Sequence, residues 1–450
     1  MPFSAVKKSA QRSRSMLRRL FERRGATLAA LAICVLTGFL GYFQQVSNVV
    51  LVAALSFVVV YEFSSRVDQG LPLMQIGALL ACLQWLVGPM ISYLSSSHHD
   101  RYFMYVPEEY YFSYAVPATA AYVFGMLAGA GSIRQRPAMH KVDRSKFVPL
   151  GIFLNLVALA AEFASGRVPA SLAFLFHLLS QLHYVGALYF MLSTSPWRRH
   201  LVVLSCVQLF INSAESGLFH DLILWSCLLF TFWFATKRRD SGLKAGVLVL
   251  AMLGVTTVQL VKQSMREKWS KGYPATFFGE MGALFTGTSD AYSEGALTLA
   301  AARLNQGWIV SAVMANVPNF EPFCDGETVK DAVLSSALPR FLWEGKKKAG
   351  GQENFRRFTG LNLEDQTSMG LSILGEAYAN FGAEEGIVFM GTTGLLFALS
   401  FRLLTRRILK HPTFLFWIPL IYYQAVKAET ELVVVMNQVV KGFIVAFAGY

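Results

Sequence analysis

Charge is what this sequence has least of. Of 450 residues, 15% are charged and 54% hydrophobic, against about 25% charged in an average soluble domain. The few charges cluster between apolar runs of roughly twenty residues, the length a helix needs to cross about 30 Å of hydrocarbon. That pattern excludes an ordinary soluble domain. Ten-residue segments of alternating polarity are also missing, which excludes a membrane barrel and leaves helices as the way to satisfy the backbone in lipid. Cysteine is scarce. Cys34, Cys82, Cys206 and Cys227 fall in apolar runs and Cys324 stands alone in a polar segment, so no disulfide framework or thiolate metal cluster can be built. There is no Gly-rich loop ending in Lys-Ser/Thr, no His-Glu-x-x-His and no Asp-x-Asp pair. These absences argue against an ATP-driven pump, a zincin protease and a metal-dependent enzyme using a nucleotide sugar.

What is present is an all-α polytopic pattern. Apolar runs predict about twelve spans, at 26–43, 46–62, 71–94, 112–131, 147–165, 170–194, 200–216, 218–236, 243–261, 385–404, 412–428 and 432–449. The first follows a segment with eight basic residues against Glu22. It is of spanning length and lacks a small-x-small cleavage site, so an uncleaved anchor is expected. Basic residues supply an independent test of the topology. With the N-terminus inside, the inward loops carry Arg134, Arg136, Lys141, Arg144 and Lys146, then Arg198 and Arg199, Lys237, Arg238 and Arg239, and finally Arg406, Arg407 and Lys410. The short outward connections at 44–45, 166–169 and 429–431 hold one basic residue, Arg167. The formal charge of +12 is therefore topology-setting, and no nucleic-acid partner is implied.

The expected organisation is a basic segment with nine membrane helices over 1–261, a large outward loop over 262–384, and three more helices over 385–450. A loop of that length is usually functional or disordered. Its aromatics, glycines and balanced charge predict that it folds against the membrane domain.

The loop is rich in cations. Lys262 and Arg266 stand four apart and share a helical face. Arg303 lies in AARLNQGWIV, and LPRFLWEGKKKAGGQENFRRFTG carries Arg340, Lys346, Lys347, Lys348, Arg356 and Arg357. Guanidinium forks suit phosphate oxygens, and several suit a diphosphate. The alternative is solvated surface charge, which fits the triple lysine best. Downstream, TSMGLSILGEAYANFGAEEGI places Glu376, Tyr378 and Asn380 where a helix enters the membrane, and helical spacing puts Glu376 and Asn380, four apart, on one face. A carboxylate in such surroundings suits a general base, and a structural Glu bonded to an arginine is the competing reading. His98 and His99 are alternative bases. His177, His183 and His220 suit bonds between helices. Lys441, inside the last span, marks a pathway or snorkels to the inner surface.

RLNQGWIV, ALPRFLWEGKKKAGGQENF and LGEAYANFGAEEGI together resemble the O-antigen and oligosaccharide-repeat-unit polymerases, the Wzy-type membrane enzymes of bacterial polysaccharide assembly. An Arg-x10-Gly pattern runs from Arg340 to Gly351. After LPRFLW the chain reads Glu344-Gly345-Lys346, where the family pattern leads one to expect a Pro-x-Lys-Pro-like turn. The resemblance covers roughly 260–400 and implies a GT-C-like, metal-independent glycosyltransferase in the bacterial inner membrane, with both termini cytoplasmic, the large loop periplasmic and no cofactor. The growing glycan would pass from undecaprenyl diphosphate to a hydroxyl of an incoming lipid-linked repeat unit. Implied partners are these two lipid-linked oligosaccharides, the bilayer, and a chain-length regulator and flippase of the pathway. Arg340 and Arg266 would act with Glu376 in catalysis. Arg303, Arg356, Lys262, Trp343, Tyr378 and Asn380 would bind substrate, and sugar rings would stack on Trp269, Tyr273, Trp308 and Trp343. An O-antigen ligase shares the donor, but it would be expected to carry a histidine in its large loop, and 262–384 has none. A polysaccharide or lipid transporter would be expected to show internal repeats, which are not seen.

Overall fold

The computed structural model describes residues 25–66, 71–95, 102–130, 142–165, 167–216, 224–226, 228–232, 272–286, 304–338, 351–363 and 369–450, together with Val261, Ser264, Met265, Lys268 and Trp269. Among them every regular element is helical. In chain order these are α1 (Gly25–Tyr42), α2 (Asn48–Arg66), α3 (Leu73–Leu94), α4 (Glu108–Ala130), α5 (Phe147–Ser165), α6 (Ala170–Ser180) and α7 (Leu182–Leu192). They are followed by α8 (Arg198–Ser216), α9 (Phe277–Phe285), α10 (Gly307–Asn316), α11 (Glu327–Ala337), α12 (Gln352–Thr359), α13 (Ser372–Lys410), α14 (Ile418–Val426) and α15 (Leu432–Gly449). Eight helices among the described residues are long and apolar enough to cross a membrane: α1 to α5, the α6–α7 pair, α13 and α15. The chain has the architecture of an all-α multi-pass membrane protein.

Seven of these eight lie at or within a few residues of an expected span. The eighth, α13, differs, because the helix holding 385–404 begins at Ser372 and runs unbroken by a loop to Lys410. It is bent at Gly382, whose φ of 72° and ψ of −159° are accessible to glycine without a Cβ penalty. Residues 200–216 are helical within α8, but Gln208, Asn212, Ser213 and Glu215 dilute its apolar character and it is not among the eight. The stretch 412–428 forms a 3-10 turn (Pro412–Trp417) and the nine-residue α14, both sunk in the core. Most of 218–236 and 243–261 lies outside the described residues.

Small residues set a close contact between α4 and α13. A Cβ on Gly125 of α4 would sit 2.3 Å from the Gly391 carbonyl of α13, and one on Gly394 would sit 2.3 Å from the Tyr122 carbonyl. In lipid, where hydrophobic burial does not drive helices together, such backbone-to-backbone packing supplies the association. It also places the first turns of α13 beside the start of α4, where the Tyr114 hydroxyl donates to Leu374 O at 2.8 Å.

Residues 304–316 fall within the predicted outward loop, yet α10 is apolar and buried from Gly307 to Met314. A π-helical turn in α3, Leu83–Val87, frees two carbonyls to hold neighbouring elements. Gln84 O accepts from the Gln306 amide at 3.1 Å, and Trp85 O accepts from the Tyr111 hydroxyl at 2.8 Å. The Trp85 indole donates to Ala428 O at 3.2 Å, which ties the α14–α15 connection to the same turn.

Candidate functional site

The first turns of α13 converge with α11, α12 and the start of α15 on a buried polar cluster. Glu376, one turn into α13, is 1% exposed. Its Oε1 accepts from the Thr328 hydroxyl of α11 at 2.6 Å, and its Oε2 accepts from the Leu432 amide that opens α15 at 2.8 Å. Asn380, one turn further along α13, donates to Thr328 Oγ1 and to the Glu376 carbonyl, both at 2.7 Å. The half-buried Cys324 thiol donates to Asn380 Oδ1 at 3.1 Å. Every donor in this chain of side chains points toward Glu376, an orientation that polarises each bond and suits an anionic acceptor at its end.

The sequence placed Glu376 and Asn380 on one helical face, and the structure brings them together with a shared partner. Neither of the two side-chain contacts of Glu376 with described residues is an arginine. Tyr378 turns away from them: its hydroxyl meets that of Tyr110 at 2.8 Å, and its ring packs on Tyr114 and Phe323. Arg356, on α12, donates to Leu363 O at 2.8 Å. Its neighbour Arg357 is held by Glu321 at 2.5 Å and Glu327 at 3.0 Å. Arg340, Arg266, Arg303, Lys262 and Trp343 lie outside the described residues, as do Lys346, Lys347, Lys348, His98 and His99.

Among the aromatic rings proposed for sugars, Tyr273 is 64% exposed and Trp269 40% exposed. Trp308 is a correction. It is 6% exposed and packs between Tyr102 and Phe355 as part of the core, because α10 is buried on every side. Lys441 is partly buried, donating to Asn437 Oδ1 at 2.6 Å with its ammonium 4.6 Å from the Phe174 ring centre.

Sequence reasoning missed Glu431. It is the residue that caps α15, it is 2% exposed, and it accepts from the Leu371 amide at 3.2 Å and from Asn354 Nδ2 at 3.4 Å. Burial, and then the charge of Glu376, push its carboxyl up to about 8. Its only signal in the sequence is an acid just ahead of an apolar run, which reads equally well as a connector. Gly351 and Gly370 wall it in: a Cβ on Gly351 would lie 2.7 Å from Glu431 Oε1, and one on Gly370 would lie 3.1 Å from Glu431 Cγ.

An apolar groove of about 430 Å³ runs between α1, α4 and α13, lined by Cys34, Phe39, Phe124 and Ile387 among others. At its end the Tyr42 hydroxyl donates to Glu384 Oε1 at 2.9 Å. Among the described residues no group of three or more His, Cys, Asp or Glu side chains is placed to hold a metal.

A family model described as a domain of unknown function (DUF8712) matches residues 91–359, from the end of α3 through α12. The match stops short of α13 and α15. No curated protein and no solved structure matches the chain.

Proposed function

The chain belongs to the DUF8712 family, and since that membership prescribes no chemistry, we propose, from the resemblance of residues 260–400 to the Wzy-type polymerases together with the buried carboxylate site, a lipid-linked oligosaccharide polymerase acting at the outer face of the bacterial inner membrane. The observation that carries this reading is the gathering of Glu376 and Asn380 at the membrane-entering end of α13, under a cover formed by α11 and the start of α15. The full topology in this proposal has twelve spans, cytoplasmic termini and the segment 262–384 outside.

In the reaction, the acceptor hydroxyl gives its proton to Glu376 as its oxygen bonds to the anomeric carbon of the donor glycan. The bond from that carbon to the lipid diphosphate breaks, and its electron pair leaves with the diphosphate. Arg340 and Arg266, with Arg303, Arg356 and Lys262, meet the growing negative charge. Trp343 lines the approach of the sugars, while Tyr378 and Asn380, both buried in the resting chain, meet them only once the cover over Glu376 opens. In the resting chain Thr328 and the α15 start cover Glu376, so the acceptor reaches it once α11 draws aside. The groove between α1, α4 and α13 offers an apolar cleft for a lipid tail beside the same end of α13.

The test is direct. Purified protein incubated with a lipid-linked repeat unit gives a ladder of products on a gel. A single-addition product on a lipid A core acceptor, with no ladder, replaces the polymerase by a ligase. No transfer to either acceptor removes the enzyme.

A further inference from the structure

Glu376 and Glu431 form a crossed pair at two helix starts. Glu376, on α13, accepts from the first amide of α15, and Glu431, which caps α15, accepts from the Leu371 amide that caps α13. Both side chains are buried. A helix start carries about half a positive charge, so two starts balance roughly one carboxylate. A second full negative charge in the same dry site would be left without compensation, and like-charged carboxylates in one site resolve this by keeping a proton.

The bond lengths say which carboxyl holds it. Glu376 accepts at 2.6 and 2.8 Å, the short distances of a charged acceptor. Glu431 accepts at 3.2 and 3.4 Å, and its Oε2 has the weaker contact. We propose that the pair holds a single proton, resident on Glu431 Oε2, and that Glu431 is thereby the positioning residue that keeps the α13 and α15 starts clasped and Glu376 anionic.

The surroundings fit. Among the described residues the charged group acting on Glu431 is Glu376 of α13. The α12 helix presents the neutral Asn354, and α11 presents Thr328 to the Glu376 side of the pair. On the α14–α15 connection, Lys427 places its ammonium 4.4 Å from the centre of the Tyr423 ring, and Glu429 lies two residues before Glu431. The raised affinity of Glu431 for its proton follows from its burial and from the Glu376 charge. The inference rests on the proposed catalytic base only for its effect on turnover. The shared proton stands apart from any activity.

The experiment is infrared difference spectroscopy of the full chain in nanodiscs, titrated from mildly acidic to alkaline pH without substrate. The expected result is a protonated carboxylic-acid band that persists at neutral pH, disappears as pH rises through about 8, and is absent from E431Q. In E376Q the band remains but titrates at lower pH, because the neighbouring negative charge is gone. In N354A it titrates at higher pH, because a hydrogen bond to the ionised form is lost. The N354A arm removes a half-buried side chain and keeps the test decisive should E431Q not fold. A band that survives E431Q, or one that does not move in E376Q and N354A, overturns the proposal. If the bands behave as expected while wild-type protein makes no product ladder, the polymerase reading fails and the shared proton stands. If the protein polymerises and the bands do not behave so, the reverse holds.

Discussion

Glu376 and Glu431 each satisfy the backbone at the start of the other's helix, at 2.8 Å to the Leu432 amide and 3.2 Å to the Leu371 amide. Fifty-five positions apart in the chain, they tie the long α13 to the last membrane helix at the level where both begin. A buried helix end without such partners would leave its amides unpaired, at about 1–3 kcal/mol for each group.

This clasp makes stability depend on pH with a definite sign. A carboxyl raised by folding from 4.5 to about 8 binds its proton more tightly in the native state than in the unfolded chain. Native protein then holds more protons between those values, so stability is full at the acid end and falls as pH rises through the window. Thermal melting in detergent should show a midpoint that drops from about pH 5 toward pH 8 in wild type. The slope should be shallower in E431Q, and an equal slope there would assign the effect to other groups.

The α4–α13 contact depends on missing side chains. Gly394→Val pushes carbon into the Tyr122 backbone and should cost at least about 2 kcal/mol, read as a lowered melting temperature. Gly282→Ala, in the exposed part of α9 with open space around it, should be neutral or up to about 1 kcal/mol more stable. Similar melting for the two variants would refute the packing argument.

Under the proposed function, Arg340→Ala should lower turnover by about 30- to 1,000-fold, as expected for roughly 2–4 kcal/mol of lost transition-state stabilisation. Arg340→Lys should restore part of it, since a point charge lacks the guanidinium fork. Glu376→Gln should cost about 100-fold or more, and Lys347→Ala should change little. Polymer length at matched membrane expression is the readout. A dead Lys347→Ala beside an active Glu376→Gln would move the site elsewhere and make His98 or His99 the next base to test.

Topology gives a further check. Reporters fused after Lys141, Arg239 and Arg407 should read as cytoplasmic, and one near Asp325 as external. An external Arg239 would invert the assignment and put the Glu376 cluster on the wrong face for a periplasmic substrate.

The sequence by itself determined that the chain is an all-α, multi-pass membrane protein. Run length and hydropathy are local properties, and lipid leaves the backbone no solution but a helix or a closed barrel, so α1 to α5, the α6–α7 pair and α15 were legible to within a few residues. Helical spacing also announced Glu376 and Asn380 as a pair on one face. The sequence could not announce their partners. Thr328 and Glu431 sit 48 and 55 positions from Glu376, on α11 and at the α15 cap, and nothing local distinguishes them from an ordinary helix residue and a connector acid. Trp308 failed for the related reason that burial is a property of neighbours, and α10 is enclosed by elements distant in the chain. What the tertiary structure decided was which polar groups lose water together. Glu376 and Glu431 cap each other's helices only when α13 and α15 start side by side, and the charge of one then acts on the other because solvent no longer screens it.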